Sequence, residues 1–321
     1  VAFKQANLSG NGDAFNLGFS VTEGSNQLLT SYTYPINPRD GTVGLTFSYT
    51  SSDVIEEPFD RLDLESSSPY VELTWRQPII KNLNQELALG LSFTYQHTEV
   101  TIEDIPIRLS PGADANGETN VSALRFFQEW TQRNSREIFA ARSQFNFGID
   151  IFNATINDSD PDGTFFDWRG QLQWARLLAS DTLLLLRGDV QLASDPLVSL
   201  EQFRIGGQDS LRGYRQDVFL TDNGLLASAE VRLPILRIPK WNTLLQIAPF
   251  VDFGVAWNNS DSPRRTPNPN TLVSVGLGLQ LQVSDRLTAR FDWGIPLVDV
   301  DAPDRTAQEN GIYFSVVLSP F

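Results

Sequence analysis

The chain has 321 residues and carries 24 basic against 39 acidic side chains, a formal net charge of −15. That balance argues against a nucleic-acid partner, which needs cations to neutralise phosphates. There is no Cys and one His, so a disulfide framework, a thiolate metal site and a zinc constellation are all out of reach. Met is absent even at position 1, which leads us to expect a chain that begins after processing or is a piece of something longer. No N-terminal signal segment is visible. No apolar run approaches the roughly 18 residues of a membrane helix; the run Leu183 to Leu186 stops at Arg187.

The apolar residues alternate instead. Phe15, Leu17, Phe19 and Val21 take turns with Asn16, Gly18 and Ser20. Val43, Leu45, Phe47 and Tyr49 take turns with Gly44, Thr46 and Ser48, and Leu87 to His97 repeats the pattern with Leu, Leu, Leu, Phe, Tyr and His on the odd positions. A period of two puts the two sets on opposite faces of a strand. Strands are expected over 1–7, 13–23, 26–35, 41–50, 69–80, 85–99, 120–132, 136–151, 164–178, 181–193, 223–235, 242–257, 270–283, 286–297 and 310–321.

From the fourth segment on, long and short connections alternate. Short ones fall near 36–40, 81–84, 133–135, 179–180, 236–241 and 284–285, and long ones near 51–68, 100–119, 152–163, 194–222, 258–269 and 298–309. An up-and-down antiparallel barrel, with turns on one rim and loops on the other, has that order. The less apolar face carries Glu72, Arg76, Arg142, Asp167, Arg169, Arg187, Asp189, Glu230, Arg232, Asp252, Arg290 and Asp292. Charges of both signs suit a wet lumen and not a dry core, so the leucines and aromatics face lipid. Trp130, Trp257 and Tyr34, near segment ends, fit interfacial girdles. No linker splits the chain, and 1–321 reads as one transmembrane barrel domain. Fifteen segments and the even strand number of single-chain bacterial barrels predict one strand upstream of Val1.

Catalytic and metal chemistry find little support. His97 stands on the lipid-facing register, where a Ser-His-Asp triad has no pocket. The run Asp158-Ser-Asp160-Pro-Asp162-Gly163 begins like a calcium loop, but Arg169 stands where the twelfth-position Glu belongs and a strand replaces the exiting helix. Arg187-Gly188-Asp189 spells an adhesion tripeptide, yet mid-strand its side chains face the lumen. No cofactor is expected.

Within the 194–222 connection lies Gly206-Gly-Gln-Asp-Ser-Leu211-Arg212-Gly213-Tyr214, and about forty residues on comes Phe250-Val-Asp252-Phe-Gly254. Asp252 falls on the inward register. A carboxylate in a lumen needs a cation, and Arg supplies a two-pronged bond. Glycines let the backbone pass through a confined space. The loop is therefore expected to fold back into the barrel and bring Arg212 to Asp252.

Leu211-Arg212-Gly213-Tyr214 resembles the Val-Arg-Gly-Tyr/Phe motif at the tip of the sixth extracellular loop in the outer-membrane transporter superfamily with periplasmic POTRA domains. Phe250-Val-Asp252-Phe-Gly254 resembles its partner on the thirteenth strand. The resemblance runs along the whole chain, from Asn7-Leu-Ser-Gly10-Asn-Gly12-Asp13 to Phe321, and is strongest to two-partner secretion transporters of the haemolysin secretion/activation type. It implies a 16-stranded barrel in the outer membrane, a sixth loop plugging the lumen, Arg212 paired to Asp252, and secretion of a large β-helical exoprotein without nucleotide. It further implies recognition by the barrel-assembly machinery through Phe321, with Val317 and Tyr313, since Ser319 and Ser315 replace bulky residues of the usual terminal signal. POTRA domains are absent from these residues. An insertase of the same superfamily and a passive porin are the rival functions.

Overall fold

In the computed structural model, residues 1–22, 24–54, 64–103, 105–157, 161–300 and 307–319 are described. The strands are β1 (Ala2–Ala6), β2 (Ala14–Thr22), β3 (Ser25–Pro35), β4 (Thr42–Asp53), β5 (Leu64–Lys81), β6 (Gln85–Ile102), β7 (Ile105–Pro106), β8 (Glu118–Arg133) and β9 (Glu137–Gly148). Then come β10 (Phe166–Ala179), β11 (Thr182–Ala193), β12 (Phe203–Ile205), β13 (Phe219–Thr221), β14 (Asn223–Ile238), β15 (Thr243–Trp257), β16 (Thr271–Val283), β17 (Leu287–Pro296) and β18 (Ile312–Leu318). Each long strand pairs antiparallel with the next, from β1 to β18, in one sheet. The sheet counts sixteen strands because the two-residue β7 folds onto β6, while β12 and β13 form a ribbon of their own. Among the described residues β1 and β18 are not paired with one another.

All fifteen expected segments are strands of this meander. The ends differ most on the long-loop rim, where β4 reaches Asp53, β5 starts at Leu64 and β6 reaches Ile102. With 18 residues each, β5 and β6 exceed the roughly 9–11 that cross a bilayer. Their extensions are rich in Ser, Thr and Glu, as at Ser66–Ser68 and Thr98–Thr101. Above the lipid there is no apolar solvent to impose alternation, so the ladder continues where the sequence pattern stops.

Three turns of the short rim are built on Asn. Asn37, Asn82 and Asn134 each accept, through the side-chain oxygen, two backbone N–H groups a few residues on, at 2.8–3.0 Å. An Asn side chain thus stands in for the backbone of a tight turn. Two of the register shifts near this rim, at Pro78 and Pro234, fall where proline has no N–H for the ladder.

Outward side chains form the apolar belt: Leu73, Trp75, Leu277 and Trp293 are each about half exposed. Phe126, Phe145 and Phe166 stack in a row across β8–β10 with centroids 6.5 Å apart. Trp130 and Tyr34 lie near the short-turn rim and Trp257 at the long-loop rim. His97 holds the outward register, its Nδ1 2.8 Å from Asn120 Oδ1. Among the described residues no helix is long and apolar enough to cross a membrane.

Both buried apolar clusters lie inside the barrel, where loop 194–222 meets the wall. One gathers Phe203, Ile205, Leu211, Tyr214 and Phe219 of the loop against Leu226, Ala256 and Leu272. The other sets Leu197 and Val198 against Val121, Ala123 and Phe165. The expected long loop therefore has secondary structure of its own, the β12–β13 ribbon, which its sequence hides because three-residue strands are too short to display a period.

Candidate functional site

The ribbon aims its connecting segment, 206–218, at the inner face of β14–β18. Gly206 and Gly207 have φ of +117° and +97°, and Gly213 +95°, in the region L side chains rarely adopt. Ser210 Oγ bridges Gly206 by accepting from its N–H at 2.9 Å and donating to its carbonyl at 2.7 Å. Gly207 N–H donates to Tyr214 O at 3.0 Å, closing the tip.

Arg212 is fully buried. Its Nε and one terminal nitrogen donate to the two oxygens of Asp252 at 2.8 and 2.9 Å, and its backbone N–H adds a third bond to the same carboxylate at 3.1 Å. The other terminal nitrogen donates to Glu230 at 2.5 Å. Ser228 Oγ accepts from the guanidinium at 3.3 Å and donates to Asp252 at 2.6 Å. The Arg212 Cζ stands 3.4 Å above the Phe250 ring centroid, a cation–π contact in a desolvated place. Arg232 and Arg290 bond Glu230 at 2.8 and 3.2 Å, and Arg290 bonds Asp292 at 2.6 Å. Three guanidiniums thus meet three carboxylates, with Arg212 3.7 Å from Asp292. A buried charge is tolerable only when paired in this way.

The wall makes room for the tip by leaving out side chains. A Cβ on Gly294 would stand 2.5 Å from Gly213 N, and one on Gly254 would stand 2.7 Å from Leu211 Cδ1. Gly276 clears the space for the Phe250 ring. Tyr313 on β18 then pins the tip: its hydroxyl donates to Tyr214 O at 2.6 Å and accepts from Gly213 N–H at 3.0 Å. The Tyr214 hydroxyl lies 2.9 Å from Val273 O and 3.0 Å from Val298 O.

Leu211, Arg212, Gly213, Tyr214, Phe250, Asp252 and Gly254 therefore come together in one place. Phe321 lies outside the described residues, as do Asp158 and Asp160 of the acidic run; Asp162 accepts from Thr164 instead. Tyr313, grouped with the terminal signal by spacing, turns inward and is committed to the loop. Ser228 and Tyr313 are site members that the chain pattern does not single out. Glu230 and Asp292 were visible as inward charges, but nothing in the sequence ties them to Arg212.

The model of the haemolysin secretion/activation protein family ShlB/FhaC/HecB matches residues 1–281. The chain belongs to this family. The outer-membrane transporter CdiB of Escherichia coli is 27% identical over 161 residues, half of this chain and 26% of that protein. Among solved structures, CdiB from E. coli superposes with a TM-score of 0.77 at 18% identity, covering 98% of this chain and 57% of the other. CdiB from Acinetobacter baumannii gives 0.73, also at 18% identity, over 99% and 55%. BamA from Haemophilus ducreyi lacking POTRA domains 1–3 gives 0.67 at 16%, over 99% and 66%. The family member described here is thus an outer-membrane β-barrel. It spans about a quarter of the curated relatives it matches and a little over half of the CdiB structures.

Proposed function

We propose that this barrel is the conduit of a two-partner secretion transporter. A large β-helical exoprotein crosses the outer membrane through the lumen in unfolded form and folds outside, and folding there biases the direction. Loop 194–222 is the plug, and Arg212 sets its position. The observation that carries this reading is a loop tip fastened by a buried arginine to a glycine-cleared wall, inside a polar lumen, in a member of this family.

The ion cluster explains why the plug has a defined seat. Neither Arg212 nor Asp252 can leave the other without stranding a charge out of water, at a cost of about 3–5 kcal/mol. The tip accordingly has one deep minimum against β14–β18, and the rest of the lumen is left for the cargo. Phe321 serves as the C-terminal signal for the barrel-assembly machinery.

The test is secretion of the cognate exoprotein by full-length Arg212→Ala and Asp252→Ala transporters, with insertion monitored by heat-modifiable gel mobility. Both variants are expected to insert and to lose secretion. Normal export by both removes the proposal. Insertion of other barrels by the purified protein, in place of exoprotein export, assigns it to the rival insertase function.

A further inference from the structure

Loop 194–222 is held at a second place, on the opposite side of its path. Before reaching β12 it runs toward β8, where Glu201 takes a two-pronged bond from Arg125 at 2.6 and 3.1 Å. Leu197 and Val198 are buried beside it. Arg125 also donates to Thr94 Oγ1 at 3.1 Å. Unlike Arg212, Arg125 and Glu201 keep 15% and 10% of their side-chain surface in solvent.

The wall next to Arg125 holds a carboxylate with an open acceptor. Arg125 pairs across the ladder with Asn146, and Asn146 with Asp167, so the three stand in one inward row on β8, β9 and β10. Asp167 is 1% exposed. One of its oxygens accepts from Asn146 at 2.7 Å, and the other is buried without a hydrogen-bond partner. An orphaned buried carboxylate oxygen is costly. Arg169, its neighbour by charge, is committed to Asp189 at 3.1 and 2.7 Å. Glu72, the carboxylate on the other side of Arg125, has both oxygens filled by Tyr70 and Thr74 hydroxyls. Arg125 and Asp167 are two strand spacings apart, about 10 Å between backbones, within the combined reach of the two side chains.

We infer that Arg125 is a two-position latch. With the loop seated it clamps Glu201. When the 197–202 limb lifts, it swings along its row to Asp167, filling the orphaned oxygen and staying paired, while the limb gives up its bonds from Arg264 to Gln202 and Ser199. The limb then moves while the Arg212 tip stays seated, which widens the lumen on the β8–β10 side. Such an element is bistable because each state satisfies the same cation. The functional consequence rests on the secretion reading above; the latch itself does not.

The chain has no cysteine, so single introduced thiols report without background. In the full-length transporter in outer-membrane vesicles, Val198→Cys is labelled with a membrane-impermeant maleimide, alongside bilayer conductance. Val198 is 0% exposed, and the parent is expected to label slowly. Glu201→Gln is expected to speed labelling about tenfold, as loss of a charge-assisted pair should. Asp167→Asn is expected to slow it below the parent and to blunt the Glu201→Gln effect. The exchange Arg125→Glu with Glu201→Arg restores the clamp but leaves no cation to reach Asp167, so it is expected to label more slowly than the parent. Heat-modifiable mobility checks each barrel. Labelling of Glu201→Gln within twofold of the parent, or indifference to Asp167→Asn, overturns the latch. Altered labelling with conductance and secretion unchanged keeps the latch and removes its place in the cargo path.

Discussion

The inner face of β2–β4 and the inner face of β14–β17 have different chemistry. The first presents Asn16, Gly18 and Ser20, then Ser31 and Thr33, then Gly44, Thr46 and Ser48, with no charged side chain on the inward register of these three strands. The second presents Glu230, Arg232, Asp252, Arg290 and Asp292, and it receives Arg212 from the loop. Both belong to the same meander and both back onto the same apolar belt. The lumen charges are therefore not spread merely to keep the pore wet, since hydroxyls and amides do that on β2–β4. On β14–β17 they hold a loop, while on β5–β9 Arg76, Glu86, Glu129 and Arg142 pair with one another across the wall. The bare side offers only small groups, hydroxyls and amides that bond weakly.

The largest way to break this contrast is at Arg212. Arg212→Ala leaves Asp252 buried without its cation, and Asp252→Ala takes the two-pronged partner from a buried guanidinium that keeps only one carboxylate, Glu230, at hydrogen-bond distance. Each is expected to free the tip at a cost of about 3–5 kcal/mol and to show as rapid protease cleavage within 206–218 in an intact barrel. A tip that stays protected in both variants denies the cluster its anchoring role. Next comes the cleared wall. In Gly294→Ala the new Cβ would stand 2.5 Å from Gly213 N and 2.8 Å from Arg212 C, backbone atoms that cannot swing aside. Overpacking of this kind costs about 1–3 kcal/mol, and the tip is expected to become cleavable while the Arg212 partners remain. Wild-type protection there means that the wall yields and the glycine is incidental.

Tyr313→Phe is milder. It removes one hydroxyl that serves Gly213 N–H and Tyr214 O, worth about 0.5–1.5 kcal/mol per bond. It is expected to raise conductance noise modestly and to leave secretion measurable. If Tyr313→Phe equals Arg212→Ala in effect, the pin outranks the ion cluster. The smallest effect on the plug is expected from Thr46→Asp, which puts a charge on the bare side. Tip protection should not change, while cation selectivity of the pore should rise; a loosened tip would show that the two walls are coupled.

Much of this could be read from the chain. The period of two, the alternation of long and short connections, and charges on one face only are local or near-local features, so barrel, sidedness and strand count follow from them. The pairing of Arg212 with Asp252 was within reach too. One is the basic tip of a glycine-rich loop, and the other is the inward carboxylate of a strand whose neighbours Val251 and Phe253 face lipid. Glu230, Ser228 and Tyr313 were not, because their part in the site depends on β14 lying beside β15 and on the wall bringing β18, three strands further on, to the loop tip. Their sequence separation from Arg212 carries no signal. The β12–β13 ribbon was hidden by its length, and the Glu201–Arg125 bond by the direction the loop takes on leaving β11.

The amino-acid order by itself determined which face of each strand meets lipid and which meets water, because transfer of side chains between those solvents acts residue by residue along a two-fold repeat. Only the tertiary structure decided where the 194–222 loop lands and which carboxylates receive its arginine. That choice is made by the curvature and register of the whole wall, which bring together glycines and acids from strands distant in the chain.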